Sequence, residues 1–389
     1  MNNSIDIKNS NSSWISENPK KTGLIIFTLT LLISLFIIDW FLHYLRPNEQ
    51  YEESYIIRQI NLREHPPGIK TIKYLNGQGY HFRTDDNGFI LPHNNHENPD
   101  YKIVFMGGST TECMYVSETS RFPYLTEQLL EENTGKLINV FNAAVAGNNA
   151  IHSLDILLNK IIPMNPDIVV FMHAINDYTT LAYDHTYWPV GTSRSVVIKL
   201  RDYYLKRGYG AFFSHFKGLI RSIYPNIYQR IFDLKQRFLN PAKQIEQQDE
   251  WAGRRNHVVS RNFYSMKQDF EWALNMLIFT AKSKGIVPIL MTQANIFGTI
   301  PDDKVPDGTA LVIKAGLKYS DFKKEYSIFN DITRKVAKEN EVYLIDLENI
   351  IPQDSAYFYD QVHYNEKGSK YVASIISEHL INIINSLEN

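Results

Sequence analysis

A chain of 389 residues exceeds the roughly 100–200 residues of one ordinary domain, so one large or two modest domains are expected. Hydrophobic residues at 44% and charged residues at 21% exclude a disordered, collagenous or disulfide-stapled chain. The 40 Lys and Arg against 42 Asp and Glu give a net charge of −2 and no global attraction for nucleic acid, and the single Cys113 forbids an intramolecular disulfide or a cysteine metal cluster.

Residues 1–21 read as a polar tail. From Thr22 to Ile38 there is no charge, and after Asp39 the apolar character resumes with Trp40, Phe41, Leu42, Tyr44 and Leu45. As a helix, 22–45 would reach about 36 Å, enough to cross a hydrocarbon core of roughly 30 Å. Lys20 and Lys21 precede this stretch, and Trp40 and Tyr44 stand at its far end, as interfacial anchors do. No small-residue cleavage motif follows, so a retained single-pass anchor is expected rather than a removed signal peptide. Lys8, Lys20 and Lys21 before the span are matched by Arg46, Arg58 and Arg63 after it. Only the immediate flank favours an N-terminus in the cytoplasm and the bulk outside, in the periplasm or at the cell surface.

Residues 46–65 are polar and read as a juxtamembrane stalk. Between 69 and 91, strand-like stretches are broken by Asn76-Gly77 and Asn87-Gly88, dipeptides suited to tight turns, which predicts a small β-meander within 46–100. His93 and His96 lie in a Pro- and Asn-rich loop without a third ligand, so they read as solvated loop rather than a metal site.

The chain then alternates. Short apolar runs at 102–106, 137–141, 168–172, 286–291 and 342–345 are separated or followed by helical patterns near 121–133, 151–161, 262–284, 320–339 and 366–386. Strands buried on both faces and joined by helices predict an α/β fold, a three-layer α/β/α sandwich with a parallel sheet of about five strands. This domain would comprise 101–177 and 261–389, interrupted by an insertion at 178–260. Between Arg194 and Arg237 the insertion carries ten Lys and Arg against Asp202 and Asp233, with aromatics such as Tyr203, Tyr209, Phe212, Phe216, Tyr224 and Phe232 interleaved. It reads either as an amphipathic cover on the domain or as a surface for lipid headgroups.

In open parallel sheets, ligands bind where strands end, so the polar residues after each apolar run carry the functional argument. Gly107-Gly108-Ser109-Thr110 follows the first run, Asn142 to Asn148 the second, and Ala174-Ile175-Asn176-Asp177 the third. Asp360-Gln361-Val362-His363 precedes the last helix. A serine needs a histidine to take its proton, and that histidine needs a carboxylate to fix its tautomer. Ser109, His363 and Asp360 supply these three parts. The backbone N–H groups of Ser109 and Gly147 and the amide of Asn176 could form an oxyanion hole. Taken singly, each of these residues is more readily a helix cap or turn, whereas all four places in this order at strand ends favour a site. A phosphate-cradle reading of 107–111 lacks the Gly-Lys-Ser/Thr ending. Asp346 is an alternative carboxylate read as structural, and Cys113 reads as a packed small residue.

The order Ser109, Gly147, Asn176, then Asp360-x-x-His363 resembles the four motif blocks of the SGNH (GDSL-type) hydrolase superfamily over roughly residues 100–386. The resemblance implies Ser109 as nucleophile, Asp360 and His363 as the rest of a triad, and Ser109, Gly147 and Asn176 as oxyanion donors, with no metal or organic cofactor. Two positions depart from the pattern. The usual Gly-Asp-Ser is Gly-Gly-Ser, and the glycine two before the third-block asparagine is Ala174. Phe82 to Phe89 and Gly107 to Pro123 are similar to membrane-anchored members found with bacterial envelope polysaccharide genes. The implied function is a serine ester hydrolase or O-acyltransferase acting on acyl, above all O-acetyl, esters of an envelope glycan or glycolipid. The membrane, the acylated substrate and a membrane acyltransferase are the implied partners, and nucleic acid is not. The anchor and the insertion favour transfer over hydrolysis. The rival reading is a catalytically silent glycan- or lipid-binding scaffold.

Overall fold

The computed structural model describes residues 14–45, 58–189, 194–199, 216, 219, 223, 262–301 and 319–388. It divides into two units, Met1–Ile56 and Ile57–Asn389.

The first unit is dominated by α1 (Pro19–Leu45), a helix of 27 residues. Proline at the first helical position sacrifices no hydrogen bond, which lets the helix begin ahead of the apolar run. Leu24, Ile26, Phe27, Leu32, Ile33 and Phe36 are exposed around the whole circumference, so no stripe faces a core. The hydroxyls of Thr28 and Thr30 donate to the carbonyls of Leu24 and Ile26 at 2.8 Å, satisfying their polarity within the helix. Pro19–Ile38 is long and apolar enough to cross a membrane. The side chains of Trp40 and Tyr44, expected as interfacial anchors, lie outside the described residues.

The second unit opens with β1 (Arg58–Ile60), followed by the antiparallel hairpin of β2 (Lys70–Leu75) and β3 (Gln78–Arg83), which turns at Asn76-Gly77. The alternating part runs β4 (Tyr101–Gly107), α2 (Ser109–Glu112), α3 (Phe122–Thr134), β5 (Ile138–Asn142), α4 (Ala150–Ile156), β6 (Ile168–Met172), α5 (Ile175–Asp184), β7 (Val197–Lys199), α6 (Phe263–Lys282), β8 (Val287–Met291), α7 (Tyr319–Glu339), β9 (Tyr343–Ile345) and α8 (Glu366–Glu388). The central sheet has the order β5-β4-β6-β8-β9 and every pairing in it is parallel. Because side chains alternate along a strand, Val104, Met106, Val169, Phe171 and Leu290 pack in one core with α4 to α7. Ile103, Phe105, Ile168, Val170 and Met291 pack in the other with α3 and α8. Within the first core, Phe270 of α6 stacks on Phe329 of α7 at 4.7 Å. The expected three-layer α/β/α sandwich with five parallel strands is the fold found.

Three boundaries differ from expectation. The helix expected over 151–161 is α-helical only to Ile156 and continues as a π-turn over Leu157–Ile161. Pro163 cannot donate to the carbonyl of Asn159, and its ring crowds that turn. The stalk expected over 46–65 is part of the domain from residue 58 onward, since β1 pairs antiparallel with β7; residues 46–57 lie outside the described residues. The insertion is also shorter than 178–260. Residues 178–184 continue α5, and Arg194, Ser195 and Val196 are buried. Of the basic aromatic stretch, Phe216, Leu219 and Ile223 are helical and 50–57% exposed; all its other residues beyond Lys199 lie outside the described set.

Candidate active site

Strand β4 ends at Gly107, and Gly108 follows it to deliver Ser109 to the carboxyl rim of the sheet. Both glycines are demanded by neighbours. A side-chain carbon at 107 would lie 2.6 Å from the Thr111 hydroxyl and 2.7 Å from the Met172 carbonyl, and one at 108 would collide with the Asn176 amide nitrogen. The departure from Gly-Asp-Ser thus has a local reason, because the Asn176 amide occupies the space of a residue 108 side chain.

The Ser109 Oγ lies 2.7 Å from His363 Nε2, and His363 Nδ1 lies 2.7 Å from Asp360 Oδ2. With Nδ1–H donating to the carboxylate, Nε2 is left to accept the serine hydroxyl proton. The other Asp360 oxygen accepts the backbone N–H groups of Val362 and His363 at 3.0 and 2.9 Å. Burial alone would raise the Asp360 carboxyl, but these hydrogen bonds and the attraction of His363 hold it below its ordinary value.

Asn176 stands in the first turn of α5, and its amide nitrogen donates to the Asn148 carbonyl at 3.0 Å, leaving a second N–H. Gly147 has φ +81° in the loop after β5, whose Val145 N–H donates to the Gly107 carbonyl at 3.2 Å. Among the described residues no hydrogen bond takes up the backbone N–H of Ser109 or Gly147. The residues expected together from sequence are therefore brought together: Ser109, Asp360 and His363 in one relay, and Asn176 and the 145–148 loop against Gly107-Gly108.

The GDSL-like lipase/acylhydrolase family matches residues 103–376, well over half of the chain and all five of these positions. The chain belongs to this family. The hydrolase is also similar to three solved structures. AlAXEase, an acetyl xylan esterase, shares 16% identity at TM-score 0.40, covering 71% of this chain and 97% of that one. Axe2, an acetylxylan esterase from Geobacillus stearothermophilus, shares 15% at TM-score 0.41, with 72% and 94% covered. LAE5, an α/β hydrolase from the metagenome of Lake Arreo, Spain, shares 15% at TM-score 0.40, with 72% and 95% covered. No curated protein matches the chain by sequence.

Two features of the hydrolase's site were not expected from its sequence. The first is Gln293, buried just past β8. Its amide donates to the Thr110 hydroxyl at 2.6 Å, while its side-chain oxygen accepts the Ile175 N–H at 2.9 Å and the Tyr326 hydroxyl at 3.0 Å. Thr110 in turn donates to the Val362 carbonyl at 3.4 Å. One side chain thus ties the nucleophile turn to the helix bearing Asn176 and, through Thr110, to the histidine loop. Applied to β8 as to the other strands, the strand-end rule would have found it.

The second is a strap over 61–65, outside the matched region. Arg63 donates to the Ala146 carbonyl at 2.9 Å, and Asn148 donates to the Arg63 carbonyl at 3.0 Å. His65 Nε2 lies 2.8 Å from the buried Glu112 carboxylate, which also accepts the Ala146 N–H at 3.2 Å. The loop carrying Gly147 is gripped from both sides.

The remaining candidates have structural partners. Asp346 accepts from Arg334 and Thr292 at 2.8 Å. Cys113 is buried, and burial pushes its thiol up to about 12. His93 is not solvated as expected but packs on Phe141 at 4.9 Å, and His96 bonds Glu131 at 2.7 Å. Among the described residues no cluster of three His, Cys, Asp or Glu could hold a metal. Beside Asn176, Asp177 is fully buried. Burial pushes its carboxyl up to about 7, and one oxygen accepts the Ala150 N–H and the Tyr187 hydroxyl, each at 2.8 Å. Its other oxygen faces His173 Nδ1 at 3.6 Å with no hydrogen bond, and burial drives that imidazole down to about 3.

Proposed function

We propose that this ester hydrolase works through an acyl-Ser109 intermediate on O-acyl, above all O-acetyl, esters of a glycan or glycolipid, as a membrane-tethered protein. The observation that carries the mechanism is the unbroken relay from Ser109 through His363 to Asp360, with 2.7 Å at each step. Ser109 Oγ attacks the ester carbonyl while its proton passes to His363 Nε2, and Asp360 stabilises the resulting imidazolium. The tetrahedral oxyanion is met by the N–H groups of Ser109 and Gly147 and the free N–H of Asn176. His363 then protonates the leaving alkoxide, which departs as the alcohol. In the second half, water or a sugar hydroxyl gives its proton to His363 and attacks the acyl carbon, and His363 passes that proton to Ser109 Oγ as the acyl–oxygen bond breaks.

The tether rests on α1, apolar on every side and long enough to span a bilayer, and we assign the catalytic unit to the extracytoplasmic side. A tethered enzyme meets acyl donors and acceptors held in an envelope, which is why a glycan or glycolipid is the assigned substrate. Labelling with a fluorophosphonate probe tests the nucleophile. Label is expected on Ser109 and absent from Ser109→Ala, and label at another residue would sink the mechanism. Incubation with an activated acetyl ester and candidate glycans, scored as acetylated glycan against free acetate, then decides between transfer and hydrolysis.

A further inference from the structure

A row of tyrosine rings leads away from the catalytic histidine. Tyr359 stacks parallel to the His363 imidazole, with 4° between the ring planes and centroids 5.4 Å apart. Tyr115 meets Tyr359 edge to face at 6.1 Å, and Tyr80 meets Tyr115 the same way at 6.0 Å. All three are half-buried, and none belongs to either hydrophobic core, unlike the neighbouring Phe122, Phe358 and Tyr364. Tyr80 comes from β3, outside the region that matches the family.

We propose that Tyr359, Tyr115 and Tyr80 form a sugar-binding wall, along which the glycan bearing the scissile ester lies. This rests on the assignment of Ser109 and His363 as the reacting pair. The hairpin does not need Tyr80 to stay seated. Phe82 is buried beneath it with the Arg121 guanidinium 5.5 Å from its ring, Arg121 donates to the His81 carbonyl at 2.7 Å and also to the Leu91 carbonyl, and Arg83 pairs with Glu118 at 2.9 Å. Tyr80 is therefore free to serve a ligand. Among the described residues no protein group hydrogen-bonds the hydroxyls of the three tyrosines. A tyrosine offers a rigid apolar face and a hydroxyl at small entropic cost, which suits a pyranose with its C–H faces and ring of hydroxyls. An acyl chain would leave three phenols without partners, so a sugar is the better fit.

The test uses the full-length protein in detergent and O-acetylated oligosaccharides with β-1,4-glucose, mannose and N-acetylglucosamine backbones. The ratio of kcat/KM on the best oligosaccharide to that on 4-nitrophenyl acetate is expected to fall about tenfold in Tyr115→Ala, mainly through KM, and by less in Tyr80→Ala. Calorimetric titration into Ser109→Ala should show binding that weakens about tenfold when Tyr115→Ala is added, while Tyr115→Phe, which keeps the ring, should retain most of it. Equal losses on both substrate types, or an unchanged Kd, would overturn the wall. So would no binding of any of the three backbones, or a fall in selectivity for 4-nitrophenyl palmitate instead of sugars. Turnover surviving Ser109→Ala would instead strike the active-site assignment, leaving the titration to judge the wall separately. If Tyr115→Ala fails to fold, Tyr80→Ser at the far end of the row carries the same comparison.

Discussion

The rim loops of the parallel sheet and the segment 58–99 meet around the same serine but hold it by different physics. The rim loops grow from strands buried on both faces, and Gly107 and Gly108 are fixed by contacts that leave no room for a side chain. Together with the loop before α8 that bears Asp360 and His363, they carry every group that touches the reacting atoms. Segment 58–99 carries none of those groups. Arg63 instead holds the 145–148 loop directly and His65 holds it through Glu112, and the β2–β3 hairpin contributes Tyr80. Close packing defines where the chemistry happens, while polar bonds from an added segment adjust how well one loop is held. Disrupting the first should abolish turnover, and disrupting the second should only weaken it.

The sharpest division comes from the relay. Ser109→Ala and His363→Ala are each expected to lower kcat by about 10⁴–10⁶, and the double variant should be no worse than the more damaging single one, because the relay acts as a unit. Additive losses in hydrolysis assays would show that the two do not share a step. Next, Asn176→Ala should cost about 10²–10³ in kcat by removing one oxyanion donor, with unchanged circular dichroism. Gln293→Leu keeps the volume but breaks the ties to Thr110 and Ile175, and a loss of about tenfold in kcat with little change in KM is expected.

The strap should come lower. Arg63→Ala and His65→Ala are each expected to lower kcat about three- to tenfold, as the loss of a modest hydrogen bond does, without moving the pH profile. A loss as large as that of Asn176→Ala would erase the distinction between the two regions. The smallest expected effect is on stability at Asp177. Its carboxyl is raised in the folded protein, so the stability it contributes is fully present below the unfolded value near 3.9 and is lost as pH rises through about 7. Asp177→Asn should therefore raise Tm by about 1–3 °C at pH 8, and the gain should vanish below about pH 4. A gain that does not depend on pH would point to packing rather than charge.

What could be read in the sequence follows the same division. Ser109, Gly147 and Asn176 follow strand ends, and strands buried on both faces announce themselves as short apolar runs, while Asp360 and His363 are marked by their close spacing just before the last helix. Helix α1 was legible because its apolar character has no polar face to dilute it. The strap was not legible, because Arg63 and Ala146 lie 83 positions apart and a hydrogen bond over that separation leaves no periodicity. The start of the insertion was misplaced because α5 buries Asp177, Thr179 and Thr180, and a polar stretch that folds inward reads as surface loop. Gln293 follows its strand as visibly as Ser109 does. Its role still depends on Tyr326, 33 residues away, which no local pattern connects to it.

Arg121 has a consequence for how such an enzyme could diversify. The guanidinium grips the β3 end of the hairpin and the following loop through the carbonyl oxygens of His81 and Leu91. Every amino acid offers that same carbonyl, so these two bonds are blind to the side chains the hairpin displays, whereas Phe82 and Arg83 add contacts of their own to Arg121 and Glu118. Positions such as Tyr80 can therefore be rewritten while Phe82, Arg83 and Arg121 keep the mount. Substrate range can drift in β2 and β3 while the chemistry on the far side of Tyr359 stays constant.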